Sequence, residues 1–227
     1  MRVLAIDTAL GACAAAVFDT GPGDLVARES VAMTRGHAES LMPLIERVMA
    51  RSALDFAELD RVAVTTGPGS FTGLRVGIAA ARGIALAAGK PAVGVSTLAA
   101  YAAPHLADDG KTPVVAAIDA RHARVYLQVF GPGGRIVIGP RLAALDEAVR
   151  AAAEAPARIV GSAARLIAER LTGAAERPVH VDQNDAVDIA WVARMGAALP
   201  PDQSPPKPQY LRAADARPQT AAQLPRR

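Results

Sequence analysis

The chain has 227 residues, of which 51% are hydrophobic, 21% charged and 4% aromatic, which suits one large domain or two small lobes with aliphatic cores. The net charge of +3 is too small to indicate a nucleic-acid-binding surface by itself. The single cysteine, Cys13, excludes an intrachain disulfide and a multi-cysteine zinc site, and its apolar surroundings predict a buried structural thiol.

The first half of the chain predicts three strands, followed by helices that alternate with strands. Apolar and alternating runs predict antiparallel strands at residues 3–7, 13–18 and 25–31. Helical spacing follows at 41–49, where Pro43 indicates a kink or a late helix start. The next elements are a strand at 61–66, a helix at 72–88, a strand at 91–95 and a short helix at 97–105.

The second half predicts a smaller set of the same elements. Strands are expected at 114–119, 125–130, 135–139 and 159–160, and helices at 142–155, 163–171 and 186–199. The Pro-rich residues after 199 predict an extended tail in which Tyr210 and Leu211 are the only apolar anchor. The predicted organisation is therefore a first lobe at 1–106, a reduced second lobe at 107–199 and a tail at 200–227.

A short internal repeat connects the two predicted lobes. Residues 3–7 (VLAID) and 115–119 (VAAID) both end in an aspartate, and a phenylalanine follows eleven positions later, as Phe18 and Phe130. A duplicated α/β lobe of this order is the plan of the actin, sugar-kinase and Hsp70 ATPase (ASKHA) superfamily, in which the Asp turns face a nucleotide cleft. We expect Asp7 and Asp119 to cap local N–H groups, with Mg²⁺ or water positioning as the alternative.

The segment 66–77 (TGPGSFTGLRVG) joins a β-branched strand to a helix through a glycine turn, a place where proteins often bind phosphate. It lacks the Lys of a Walker A loop, the third glycine of a dinucleotide fingerprint and the spacing of a nucleophile elbow. A structural turn, capped by Ser70 or Thr72, is the first interpretation. An anion contact shared with a partner and an independent nucleotide site remain as alternatives.

Small residues line one face of the helix that follows. Gly73, Gly77 and Ala81 are four apart, and glycine inside a helix costs about 1 kcal/mol relative to alanine, so another backbone is expected close to this face. The neighbour is either the sheet of the same chain or a helix, from this chain or a partner. Gly83 and Ala87 repeat the spacing nearby.

The histidines do not show a metal-binding spacing. A helical site needs a second histidine four positions after His37, and that position is Leu41. The other histidines, His105, His122 and His180, have no paired spacing. We therefore expect no metal site and a surface or capping role for His37. No signal-peptide pattern is present, and Arg75 and Arg82 interrupt the longest apolar segment, so a cytoplasmic protein without a membrane span is expected.

Four segments together resemble the TsaB family of the glycopeptidase-like group. They are the glycine turn with its helix, residues 35–43 (RGHAESLMP), residues 118–121 (IDAR) continuing to Val125 and Tyr126, and residues 208–212 (PQYLR). Arg124 departs from the acidic residue expected there, which leaves the role of the second-lobe turn open.

The resemblance implies a non-catalytic subunit in the synthesis of threonylcarbamoyladenosine at position 37 of tRNA. It implies a heterodimer with the catalytic paralogue TsaD, association with the ATPase TsaE, a homodimer when alone, and tRNA contact only through the complex. TsaD holds a metal with two histidines four apart, a pair that His37 and Leu41 do not complete. No cofactor of its own is implied, although ATP or ADP at the partner interface could meet Ser70 and Arg75.

The partner interface implied by the resemblance lies on the first-lobe helices. Substituting Leu41→Glu or Gly77→Leu is expected to abolish co-purification with TsaD while the fold stays intact. An active ATPase or kinase of the same superfamily is the alternative function, and a metallopeptidase the weaker one. The residues expected at the interface are His37, Leu41, Leu44, Ile45, Val48, Gly73, Gly77 and Ala81.

Overall fold

The computed structural model describes residues 1–171 and 178–212, which form two five-stranded sheets and the helices packed on them. The first part of the chain contains β1 (Arg2–Asp7), β2 (Ala12–Asp19), β3 (Asp24–Ala32), α1 (His37–Ser52), β4 (Arg61–Gly67), α2 (Phe71–Ala88), β5 (Ala92–Ser96) and α3 (Thr97–Asp109). It continues with β6 (Val114–Asp119), β7 (Arg124–Phe130), β8 (Ile136–Ala144), α4 (Leu145–Ala153), β9 (Arg158–Val160), α5 (Ala164–Ala168), β10 (His180–Asp182) and α6 (Ile189–Ala198).

The two sheets have the same topology. Their strand orders are β3-β2-β1-β4-β5 and β8-β7-β6-β9-β10. Each begins with three antiparallel strands, and two parallel strands then extend the sheet on the other side. Phe18 lies opposite Val3, four positions before Asp7, and Phe130 lies opposite Val114, five positions before Asp119, so the two ladders differ by one residue here. The predicted two-lobed α/β duplication of the ASKHA plan is confirmed.

Alternation along the central strands produces three hydrophobic cores. Leu4 and Ile6 of β1 face a core shared with α1 and α2, whereas Val3 and Ala5 face a central core that contains α3 and α6. One face of the second sheet packs against that central core, opposite the first sheet. Its other face packs against α4 and α5. The layers are therefore α1 and α2, the first sheet, α3 and α6, the second sheet, and α4 and α5.

Two predictions about apolar segments can be compared with these cores. Cys13 is fully buried beneath α1 and α2, and burial raises the pKa of its thiol to about 11, so the predicted structural thiol is confirmed. Helix α2 is long and apolar enough to cross a bilayer by length and composition alone. Its side chains Leu74 and Ile78 pack in the same core, and 33% of the helix is buried.

Helix α6 packs on the first sheet although it follows the second sheet in the chain. Gly196 permits the approach, because a Cβ at this position would lie 2.3 Å from the Cβ of Ala63 in β4. Arg61 holds the end of the helix by donating to the carbonyl oxygens of Gly196, Ala197 and Leu199 at 2.6–3.0 Å. The helix expected at 186–199 thus closes the central core from the side of the first sheet.

The second half departs from the predicted elements in two places. The pattern predicts a strand that ends at residue 139 and a helix from 142, but β8 continues to Ala144 because residues 141–144 pair with β7. Helix α4 begins only at Leu145. Strand β10 has no sequence prediction, since three residues cannot show a period, and it is defined by its pairing with β9.

Candidate functional site

The glycine turn joins β4 to α2 and packs against the turn that follows β1. The Ser70 N–H donates to the Ala9 carbonyl at 2.7 Å, and the Thr8 hydroxyl donates to the Gly73 carbonyl at 2.7 Å. A Cβ at Gly73 would lie 2.1 Å from the Thr8 carbonyl oxygen, so only glycine permits this approach. The Ser70 hydroxyl accepts a 3.3 Å hydrogen bond from the Gly73 N–H and caps α2. The structural role predicted for the turn is confirmed.

The small inward face of α2 continues this packing. A Cβ at Gly77 would lie 2.4 Å from Thr8 Oγ1, and Ala81 is fully buried. The predicted close neighbour is therefore the same chain. Gly83 differs, because nothing lies within 4 Å of the place where its Cβ would be.

This packing bears on the predicted interface. The eight residues expected to contact a partner are buried within the chain: His37, Leu41, Leu44, Ile45, Val48, Gly73, Gly77 and Ala81. Two of them, His37 and Gly73, also line a pocket where α1 and α2 begin. Leu41→Glu and Gly77→Leu would disturb the fold, so neither can report on a partner. Only the exposed face of α1 and α2 is accessible.

The accessible face of these helices carries apolar positions beside charged ones such as Arg82. Leu86 is 84% exposed, and Ala79 and Gly83 are also exposed. Because these positions are spaced i, i+4 and i+7, they lie on one side of α2. Met42 on the neighbouring α1 is 50% exposed. We call these four residues the outer helical face.

A pocket of about 360 Å³ opens where α1 and α2 begin. Two sequence motifs line it: residues 34–39 on one side, and Ser70, Thr72, Gly73 and Val76 on the other. Gly36, at φ +84°, precedes α1 without a side-chain cap. Since two helices begin here, unpaired N–H groups and positive dipole ends favour an anionic group.

His37 lies in the wall of this pocket and is buried, not exposed. It is the first residue of α1, only 9% exposed, and its Nε2 atom has no hydrogen-bond partner among the described residues. Of the surface or capping role predicted for it, the surface position is wrong, because His37 packs inward while Ala38 and Glu39 of the same turn are exposed. Its imidazole also lies close enough to Asp7 to favour the charged form of that carboxyl.

Asp7 and Asp119 occupy equivalent positions but differ in exposure. Asp7 is fully buried, and its Oδ1 accepts from the Ala9 N–H at 3.0 Å and the Thr65 hydroxyl at 2.6 Å. Burial raises the pKa of the Asp7 carboxyl despite these hydrogen bonds. Asp119 is exposed and accepts from the Arg121 N–H at 2.8 Å. Both aspartates cap their turns, as predicted.

We expect Asp7→Asn to increase stability at neutral pH. A raised folded-state pKa means that this group's contribution is full below the unfolded carboxyl pKa and is lost as the pH rises through the folded value. Asparagine keeps an acceptor for both donors without a charge, and its NH2 group replaces Oδ2, which has no partner among the described residues, so the gain near pH 7 is what remains after the cost of that unpaired group. Urea unfolding across the pH range should show the gain shrinking toward about pH 4.

Asp119→Asn is the matched control, because Asp119 occupies the position in the second lobe that Asp7 has in the first, and its carboxylate is exposed to solvent. It should change the free energy of unfolding by less than about 0.5 kcal/mol. If wild type were more stable than Asp7→Asn at every pH, the ionised carboxylate would be stabilising and the expectation would be wrong.

The C-terminal segment crosses the glycine turn. The Gly94 N–H donates to the Ser204 carbonyl at 2.8 Å, and the Gln209 N–H donates to the Thr66 carbonyl at 2.7 Å. A Cβ at Gly67 would lie 3.0 Å from the Gln209 carbonyl oxygen, so the segment lies directly on the turn. Residues 204–210 are thus extended but attached. The tail predicted beyond residue 212 lies outside the described residues.

Arg75 connects this segment to α2. Its Nε donates to the Tyr210 hydroxyl at 3.1 Å, and its guanidinium lies 3.8 Å from the centre of the Phe71 ring. The Phe71 and Tyr210 rings are 5.2 Å apart, which confirms Tyr210 as an anchor. Two residues later, Arg212 donates to the Ala120 carbonyl at 3.3 Å, in the turn after β6. The segment therefore extends from the first sheet to the second-lobe turn.

The second-lobe turn is closed by backbone contacts of Arg124. Its N–H donates to the Arg121 carbonyl at 3.1 Å, and its carbonyl accepts from the Ala120 N–H at 2.9 Å. Arg121, His122 and Ala123 between them have positive φ. Backbone geometry therefore explains how the turn forms with arginine at position 124.

Comparisons with known proteins agree with this arrangement. A family model described as TsaD: tRNA N6-adenosine threonylcarbamoyltransferase matches residues 30–183. The tRNA threonylcarbamoyladenosine biosynthesis protein TsaB of Escherichia coli K12 is 40% identical over 126 residues, which cover 56% of this chain and 53% of that protein. A tRNA N6-adenosine threonylcarbamoyltransferase of Sorangium cellulosum is 35% identical over 166 residues, which cover 65% of this chain and 46% of that protein. The chain spans about half the length of these relatives.

Among solved structures, a Pseudomonas aeruginosa protein described as similar to the peptidase YeaZ has a TM-score of 0.75 and 26% identity, covering 93% of this chain and 99% of that one. A structure of YeaZ from the same species has a TM-score of 0.71. Because the family model spans more than half of the sequence, the chain belongs to the tRNA N6-adenosine threonylcarbamoyltransferase (TsaD) family, and within that family it is similar to the TsaB proteins, as its motifs predict.

Proposed function

We propose that this chain is a non-catalytic subunit in the synthesis of threonylcarbamoyladenosine at position 37 of tRNA, where it binds and activates TsaD. The similarity to TsaB proteins, which are named for this biosynthesis, supports the pathway. One observation supports the accessory role: the glycine turn and the Asp7 turn are occupied by hydrogen bonds and packing from the same chain.

An ATPase or kinase of this fold would need a carboxylate and a phosphate-binding turn that nucleotide can reach. Asp7 is fully buried, the Ser70 N–H is bonded to Ala9, and Gln209 lies on the turn. Arg75 is held by the aromatic ring of Phe71 and by Tyr210. These contacts favour a structural use of the site over nucleotide turnover. The metallopeptidase alternative has little support at His37, because Leu41 stands where the second histidine of a metal pair would be.

The partners follow from this role. TsaD is proposed to bind the outer helical face, with TsaE as the ATPase of the complex and tRNA reached through the complex. Without TsaD, the same apolar face would pair two copies of this chain. The chain needs no cofactor of its own, and ATP or ADP at the TsaD interface would meet Ser70 and Arg75 beside the pocket. We propose that the chain and the complex are located in the cytoplasm.

Reconstitution tests the proposal. TsaD and TsaE from the same organism, given tRNA and a threonylcarbamoyl donor, should form the modified nucleoside only when this chain is added, as measured by mass spectrometry of digested tRNA. Equal modification without the chain would contradict the accessory role. Sustained ATP hydrolysis by the isolated chain would favour the ATPase alternative instead.

A further inference from the structure

Three metal-binding side chains meet at the edge of the second sheet. His105 lies near the end of α3, and His180 and Asp182 are two residues apart on β10, so both project from the same face of that strand. His105 Nε2 is 3.0 Å from Asp182 Oδ2, and the two imidazole rings have centres 5.7 Å apart. One ligand atom from each side chain lies within 4.8 Å of the others. The sequence could not show this, because the histidines are distant along the chain.

We propose that His105, His180 and Asp182 bind a zinc ion. Two imidazoles and one carboxylate, with a position left for water, form a donor set that zinc accepts readily. Ligand atoms around tetrahedral zinc lie about 3.3 Å apart at ordinary bond lengths, so no separation must close by more than about 1.5 Å. His180 is exposed and on a strand at the sheet edge, so rotation of its side chain can supply this movement.

The charges around the cluster permit a cation. Arg158 is the nearby positive group, and its guanidinium is paired with Asp108 at 2.6 Å and Asp109 at 3.0 Å. Two carboxylates therefore balance one guanidinium. Asn184 donates to Asp182 Oδ1 at 2.6 Å, which leaves Oδ2 directed at His105. Such an outer hydrogen bond orients a carboxylate ligand.

The surroundings also provide space for an ion and its water. A pocket of about 320 Å³ is lined by His105, Asp108, Arg158, Val179 and His180. An ion bound there would connect α3, in the central layer, to the edge strand of the second sheet. It would stabilise the folded chain in proportion to its concentration and affinity. This site is independent of the proposed function.

Metal titration of the full-length protein, freed of any histidine tag and treated with a chelator, tests the site. Isothermal titration with zinc should give one ion per chain with a Kd of about 1 µM or tighter. Cobalt should give visible absorption bands from nitrogen and oxygen ligands. Absence of stoichiometric zinc binding at protein concentrations well above this Kd would overturn the proposal.

Two exposed histidines provide a matched pair of variants. His180→Ala should weaken zinc binding by at least about 10-fold and remove the cobalt bands, because it deletes a ligand. His122→Ala, in the exposed turn after β6, should bind zinc as wild type does. Unfolding curves in chelator should be the same for all three proteins. Equal zinc affinity of His180→Ala and wild type would assign the metal to another place and overturn the site.

Discussion

Gly73→Ala should destabilise the protein by about 3 kcal/mol, the upper end of the usual cost of overpacking, because the nearest neighbouring atoms belong to backbone. The added Cβ would lie 2.1 Å from the Thr8 carbonyl oxygen, so α2 or the turn after β1 must move. Movement of either element would also break the hydrogen bonds from Thr8 to Gly73 and from Ser70 to Ala9. Urea unfolding followed by circular dichroism measures the loss.

Gly83→Ala in the same helix is the matched control and should have the opposite sign. It meets no atom within 4 Å, and alanine has a higher helix propensity, so stability should rise by about 1 kcal/mol. The stability change of Gly77→Ala should lie between those of the other two variants. Its added Cβ would meet the Thr8 side chain, which can move more easily than backbone. Equal effects at positions 73 and 83 would show that helix propensity alone explains the glycines.

The difference between these glycines explains how far the sequence could predict the site. Spacing showed that α2 has small residues on two faces, but it could not show which face points inward. The sequence left Gly73 and Gly77 either against the sheet of the same chain or against a helix of this chain or a partner, and the structure places Thr8, from the turn after β1, against both. A tertiary contact between distant segments has no periodic signal in either segment. The fold itself was predictable, because the repeated strand and Asp turn are local patterns.

Elements whose position depends on the rest of the chain were harder to predict. Apolar periodicity identified helix α6, but the Arg61 contacts that hold its end and the approach of Gly196 to Ala63 place it on the first sheet. His105 and His180 showed no paired spacing because α3 and β10 bring them together only in three dimensions. His37 was expected to be a surface or capping residue, because Leu41 stands where a helical metal site would need its second histidine.

The buried motifs and the exposed helical face have separate roles in this molecule. Residues 66–77 and 204–210 are used to fix α2 and the C-terminal segment on the first sheet. Fixing α2 in this way holds the opposite face of the helix rigidly toward solvent. A rigid apolar surface binds with a smaller entropy loss than a flexible one. The motifs that identify the family would thus support the surface that we propose for TsaD, which they do not themselves form.

Leu86→Glu should weaken binding to TsaD by about 100-fold or more, if the outer helical face is the interface. Leu86 is 84% exposed in this chain, so its substitution should not disturb the fold. In a complex, the change removes buried apolar area and places an unpaired carboxylate against the partner, and both effects oppose binding. Isothermal titration with purified TsaD and co-purification of the two proteins measure the loss.

Leu166→Glu on α5 is the matched control, because it introduces the same charge at a 41% exposed leucine on the second lobe. It should leave TsaD binding unchanged, and both variants should unfold at the wild-type urea concentration. Wild-type affinity in Leu86→Glu, with a loss in Leu166→Glu, would move the interface to the second lobe. If the wild-type chain itself fails to bind TsaD, the proposed function is wrong, whichever face is altered.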